Sequence, residues 1–308
     1  MGRRRDILEL AAAAARLRDH ADAARKANWL YRLVGAVRAR ARRKLIEGWH
    51  RFDGAYVPLQ DGTLCFVPRE LDLHGYTLLT KGDADQVNAP ILARFCAPGT
   101  AVIDVGANIG ELTVPFARAV GAEGACLAVE PIPFLADAVR RTAFANGLDW
   151  VDVFQCAASA DTATANLELR YSDGRLLDSG GSRLVDAEAK GTIQVATERL
   201  DDMVRRSRIG ARRVSLVKVD VEGHELPVLR GAGETLRRHR PALAIEIGNE
   251  APAARAEMVA LLKGHGYEPV GALFRHAVLP VTWQALQENA FPLDERGVFD
   301  ILFRVKGQ

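Results

Sequence analysis

Residues 217 to 225 read Val-Lys-Val-Asp-Val-Glu-Gly-His-Glu, and they bring Lys218, Asp220, Glu222, His224 and Glu225 close together in the chain. The apolar run 214 to 220 has the pattern of a buried strand, so Asp220 stands where that strand ends and the later residues fall on a loop and helix start. Open α/β sheets bind ligands outside the carboxyl ends of their strands, which makes this a place for chemistry. His224 has an ordinary pKa suited to accepting a proton near neutral pH, and Glu222 or Glu225 could orient its ring. As a polar residue before a helix it could also serve only as a cap. Asp220 could accept a hydroxyl proton itself, or join Glu222 as hard oxygen ligands for a divalent cation. Lys218 shares a strand face with Asp220, and Glu246 in the run 242 to 247 stands at a similar height on the next strand. Such a set could hold a hydroxyl, depress the lysine pKa, or form a structural ion pair.

A second stretch, Val102 to Gly110, is an apolar strand that ends in a glycine-bearing turn and enters a helix. Gly106 removes a Cβ that would block close approach of a ligand, and Gly110 permits tight strand-to-helix contact. Twenty residues after Gly110, Glu130 closes the next strand, where a carboxylate can accept hydrogen bonds from ribose hydroxyls. A pyrophosphate favours G-x-G-x-x-G, whereas Gly106 and Gly110 form only G-x-x-x-G around Asn108. S-adenosylmethionine (AdoMet) has no phosphate. Asp104 and loop carbonyls could bind its ammonium group while loop amides take its carboxylate. An NAD-dependent oxidoreductase is the competing enzyme reading, weakened by the missing middle glycine and by the lack of any Tyr-x-x-x-Lys pair.

Together, VIDVGANIG, the acid closing the following strand and VKVDVEGHE resemble the FkbM-type methyltransferases over roughly residues 85 to 250. Arg199-Leu200-Asp201-Asp202 also looks like that family's leucine-aspartate turn. The resemblance implies a seven-stranded AdoMet-dependent methyltransferase sheet whose last strand is antiparallel, and O-methylation of glycan or secondary-metabolite hydroxyls. It carries no acceptor identity, because the arm 1 to 50 and the segment after 270 lie outside the motifs and family resemblance fixes chemistry better than substrate.

The elements that must position these residues follow from the remaining pattern. Among 308 residues, the first 51 hold 14 Arg and Lys against 5 Asp and Glu, leaving 27 against 34 for the rest. A basic helical arm, 1 to 50, is expected to precede a β-hairpin lead-in, 51 to 84, with its turn at Gln60-Asp61-Gly62. A doubly wound, mostly parallel α/β domain, 85 to 308, should follow, Rossmann-like in its layers. Its expected strands are 101 to 105, 126 to 130, 151 to 156, 193 to 197, 214 to 220, 242 to 247 and 299 to 305. Helices are expected over 111 to 120, 133 to 146, 224 to 230 and 252 to 264, and loops over 171 to 191 and 275 to 297, the latter with Trp283 on at most a short helix. Trp283 and His276 could line an acceptor pocket.

The arm's charge suits an anionic membrane surface, an acidic partner or a second subunit, with nucleic acid ranked below these. A scaffold that merely docks through this arm is the non-enzyme alternative. Cys65, Cys96, Cys126 and Cys156 lack metal-ligand spacing and read as buried thiols of a reducing compartment. Charges interrupt the first twenty residues too often for a secretory signal, and no long uncharged apolar run offers a transmembrane helix. The expected location is therefore cytoplasmic, with peripheral membrane contact through the arm.

Overall fold

The computed structural model describes residues 53–59, 61–70, 75, 78, 88–172, 176–185, 191–248, 250–274, 277–288 and 299–307. The expected arm, 1 to 50, lies outside them. Asp61 makes the first turn by accepting the Thr63 N–H at 2.9 Å and hydroxyl at 2.8 Å, which folds β1 (Gly54–Pro58) back on β2 (Leu64–Pro68). After the short α1 (Ala89–Leu92) the expected alternation begins: β3 (Ala101–Val105), α2 (Thr113–Val120), β4 (Ala125–Val129), α3 (Pro133–Ala145) and β5 (Val151–Phe154). An excursion follows through β6 (Ala157–Ser159), β7 (Ala163–Ser172), β8 (Leu176–Val185) and β9 (Thr192–Arg199). The chain then returns through α4 (Leu200–Arg206), β10 (Val214–Val219), α5 (Glu225–Gly231), α6 (Gly233–His239) and β11 (Ala242–Ile247). It finishes with α7 (Pro252–Gly264), β12 (Tyr267–Phe274), β13 (Ala277–Leu279), α8 (Trp283–Glu288) and β14 (Phe299–Val305).

The main sheet has the order β13-β12-β14-β11-β10-β3-β4-β5. It is mixed and mostly parallel: β11, β10, β3, β4 and β5 run together, and β14 is antiparallel to both β11 and β12. Residues of β3 and β4 are buried at every position, as expected of strands covered on both faces. Alternate residues divide between the two coverings. Ile103, Leu127, Val217 and Val219 pack with Leu226, Leu229, Met258 and Leu262, while Val102, Cys126 and Leu216 face Leu92, Val114, Phe116 and Val120. Each such apolar side chain contributes roughly 1.5–3 kcal/mol by its burial.

Two expectations need correction. The run 193 to 197 does form a strand, but in a separate four-stranded sheet of order β6-β9-β7-β8, and the main sheet has eight strands where seven were expected, because β12 and β13 join it. The stretch 171 to 191, expected as a loop, instead carries the whole of β8, which pairs antiparallel with β7. Cross-strand pairing there overrides the turn signal of Gly180 and Gly181. The small sheet and the β1–β2 hairpin share a third core with α3, in which Val57, Phe66, Val67, Ile109, Leu135, Leu167 and Val195 meet.

From β3 the chain moves outward to β4 and β5 on one side, and from β10 to β11 on the other. The order reverses between β3 and β10. The crevice outside their carboxyl ends is where such sheets take ligands, and both motif runs emerge there.

Candidate active site

Gly106 leaves β3 with φ 84°, and a Cβ there would come 1.8 Å from the Asp220 carbonyl oxygen. The close approach is therefore between two segments of the chain, not only between chain and ligand as the sequence suggested. The Asp220 N–H completes the contact by donating to the Val105 carbonyl at 3.0 Å. Asn108 also adopts a left-handed backbone, φ 50°. Its N–H donates to Glu130 Oε2 at 2.9 Å, and Glu130 Oε1 accepts the Ile132 N–H at 2.9 Å. Glu130 is thus a buried clamp between the turn and the start of α3. Gly110 has φ 88°, and a Cβ there would make only ordinary contacts with Val139 and Thr142 of α3. Its glycine is required by backbone conformation and not by tight packing.

Asp104 lies beneath this turn, buried, with the Thr113 hydroxyl donating to its Oδ2 at 2.6 Å. Burial is the main reason its pKa rises to about 6, with Asp220 and Asp300 adding to the rise and Thr113 and Lys218 opposing it.

On the other side of the crevice, Lys218 is fully buried and its Nζ lies 2.9 Å from both Asp220 Oδ2 and Asp300 Oδ1. Burial works to lower its pKa, but Asp220, Asp300 and Glu246 outweigh it and hold the ammonium well above the usual lysine range. A depressed lysine is therefore not what this set produces. Asp300 escaped the sequence reading because it arrives on β14, whose antiparallel register places it opposite Glu246. Burial, then Asp220 and Glu222, drive the Glu246 carboxyl far above its ordinary value. Asp220, Glu222 and Glu246 each bring a carboxylate oxygen within 4.8 Å of the others, a donor set that could hold a divalent cation. The sequence pointed to the first two, and the third completes the group.

The backbone turns left-handed at Glu222, φ 55°, and again at Gly223, φ 95°. A non-glycine residue there costs about 1–2 kcal/mol, so the surroundings must enforce it. Glu225 does so: its buried Oε1 accepts the N–H groups of Val221 at 3.3 Å and Gly223 at 3.1 Å. Burial raises the Glu225 carboxyl to about 7.

His224 is the residue before α5, yet its side chain makes no capping bond. Its Nε2 instead lies 3.0 Å from Ser159 Oγ, at the end of β6. Burial lowers its pKa. The ring is held from the small sheet by Ser159, whereas the sequence suggested Glu222 or Glu225.

Other expectations resolve differently. Asp201 of the leucine-aspartate turn is buried and accepts the N–H groups of Glu234 and Thr235 at 2.9 and 2.8 Å, plus the Thr235 hydroxyl at 2.7 Å. It anchors the start of α6. Trp283 stacks on Phe303 at 5.7 Å and belongs to the core packing, while His276 lies outside the described residues. All four cysteines are buried thiols. Among the described residues no helix is long and apolar enough to cross a membrane.

The family model described as "Methyltransferase FkbM domain" matches residues 104–269, more than half of the chain, from the end of β3 to the start of β12. The chain belongs to the FkbM methyltransferase family. It is 27% identical over 231 residues to Methyltransferase sdnD of Sordaria araneosa, covering 65% of this chain and 88% of that protein. It is 27% identical over 144 residues to Methyltransferase 1 of Beauveria bassiana, covering 42% of this chain and 57% of that protein. Among solved structures, Methyltransferase FkbM from Methylobacillus flagellatus superposes with a TM-score of 0.42 at 16% identity, covering 75% of this chain and 52% of that one. TYW2 of M. jannaschii, solved in complex with AdoMet, has a TM-score of 0.40 at 13% identity, with 82% and 87% covered. This FkbM family member is an AdoMet-dependent methyltransferase, and a methyl acceptor is implied with it. Family membership disposes of the oxidoreductase reading.

Proposed function

We propose that the protein is an O-methyltransferase acting on a hydroxyl of a glycan or secondary metabolite, with cofactor and acceptor meeting in the crevice between β3 and β10. The abutment of Gly106 against the Asp220 carbonyl supports this reading most, because a ligand over the 106–110 turn then has the 220–224 run beside it. The first half of the crevice fits AdoMet chemically. Asp104 is a buried acid raised to about 6, a group that gains from a neighbouring ammonium. Glu130, fixed by the two backbone N–H groups that its oxygens accept, brings to the edge of the turn the charged acceptor that a ribose hydroxyl needs. Asp104, Gly106, Asn108, Gly110 and Glu130 would hold the cofactor, with loop amides facing its carboxylate. When bound, it supplies a sulfonium methyl as electrophile.

On the acceptor side, His224 removes the hydroxyl proton; burial keeps its ring neutral and therefore basic near pH 7. Asp220 and Glu222 align the hydroxyl, and Lys218 fixes Asp220 at 2.9 Å. The 4.8 Å grouping of Asp220, Glu222 and Glu246 favours a second reading, in which a divalent cation on those oxygens orients the acceptor. Residues 85 to 308 form the catalytic unit and 51 to 84 its lead-in; the basic arm, 1 to 50, serves contacts with an anionic membrane surface, an acidic partner or a second subunit. Calorimetric titration with AdoMet and with NAD tests the first half: AdoMet alone should bind, and binding of NAD alone would overturn it. Turnover that survives exhaustive chelation supports the histidine mechanism over the cation.

A further inference from the structure

We infer that Ser159 is a positioning residue for His224, fixing the ring with its proton on Nε2 and leaving Nδ1 as the nitrogen that accepts the substrate proton. The inference rests on His224 being the base. Ser159 Oγ lies 3.0 Å from Nε2, and among the described residues the other ring nitrogen has no hydrogen-bond partner. A neutral imidazole carries one N–H, and its place is set by the bond that the opposite nitrogen makes. If Ser159 accepts from Nε2–H, Nδ1 carries the lone pair and is available for an acceptor. If Ser159 donated instead, the proton would sit on Nδ1 and the only basic nitrogen would be spent on the serine.

The packing around this contact is built to hold it. Ser159 ends β6, locked into the small sheet opposite Arg199 on β9. Gly231, at the far end of α5, sits so close that a Cβ would come 2.0 Å from the Ser159 carbonyl oxygen. The helix that His224 opens is therefore seated directly on the strand end that carries the serine. This ties the small sheet, which shares with the family's sequence motifs Arg199 at the end of β9, to the chemistry.

Long-range proton–nitrogen spectra of nitrogen-15 histidine-labelled protein, recorded on the wild type, S159A, S159T and H224A (the last to assign the ring), read the tautomer directly. The wild type and S159T should show His224 protonated on Nε2, and S159A should show a mixture. The S159A kcat should fall about three- to tenfold, the span one neutral hydrogen bond can hold, with AdoMet Kd unchanged and S159T restoring the rate. A wild-type ring protonated on Nδ1 would overturn the inference, as would an S159A variant with wild-type kcat and tautomer. An Nε2–H ring in a protein whose H224A variant keeps wild-type kcat would instead overturn the base assignment beneath it.

Discussion

Replacing Glu130 by alanine removes both acceptors of a clamp, since its two oxygens take the Asn108 and Ile132 N–H groups at 2.9 Å each. The Ile132 bond is buried and the Asn108 bond partly so, and each orphaned donor costs roughly 1–3 kcal/mol. The folded state should lose about 2–5 kcal/mol, a fall in Tm of about 5–15 °C for a domain of this size. Cofactor binding should weaken separately, because the ribose hydroxyls lose a charged acceptor worth roughly 1–3 kcal/mol, or about 5- to 150-fold in Kd. Thermal melts and calorimetric AdoMet titration read the two effects independently. Glu130→Gln keeps one carbonyl acceptor and should fall between. A wild-type Tm in Glu130→Ala refutes the clamp, and a wild-type Kd in a folded variant refutes the placement of the cofactor.

His224→Ala should lower kcat about a hundredfold or more while leaving AdoMet Kd near its wild-type value, as loss of a general base does. Because burial lowers the His224 pKa, the wild-type kcat should rise with pH with a midpoint below the ordinary 6.5, and stopped-assay pH profiles should lose that limb in the variant. Glu225 is raised from 4.5 to about 7, so the folded protein keeps a proton that the unfolded chain has released between those values. Its contribution to stability falls by roughly 3 kcal/mol as pH rises through that window, and urea melts of Glu225→Gln should show a shallower pH slope. Lys218→Met leaves Asp220 and Asp300 without their shared buried cation and should cost about 3–5 kcal/mol in the same melts. Deleting residues 1 to 48 should leave AdoMet binding intact by calorimetry, because the described crevice is built entirely from later residues; a folded truncation that binds no AdoMet would contradict that boundary.

The strands of the crevice were legible because each is a short apolar run bounded by breakers, and the expected 133 to 146 and 252 to 264 helices match α3 and α7 closely. β12 was not, since Pro269 and Gly271 interrupt its alternation and its pairing with β14 shifts register between them. β8 was hidden by Gly180, Gly181 and scattered charge, and becomes a strand only through partners on β7. At the site, local spacing revealed Lys218, Asp220 and Glu246 as neighbours, a relation fixed by two adjacent parallel strands. Asp300 and Ser159 could not be found that way. Each reaches the site through tertiary packing, one by antiparallel pairing far along the chain and the other from the small sheet. Asp201, which the sequence offered only as part of a turn like the family's, acquires its role from tertiary structure as the anchor of a helix start.

Methyl transfer from AdoMet to a hydroxyl oxygen can be followed with AdoMet carrying a carbon-13 label on its transferable methyl group. The protein is incubated with a panel of glycans and hydroxylated metabolites, and products are read by mass spectrometry and by the carbon chemical shift of the labelled methyl. An acceptor should gain one labelled methyl with the shift of a methyl ether. Label arriving on nitrogen or carbon, in a protein that binds AdoMet and turns over, would contradict transfer to oxygen.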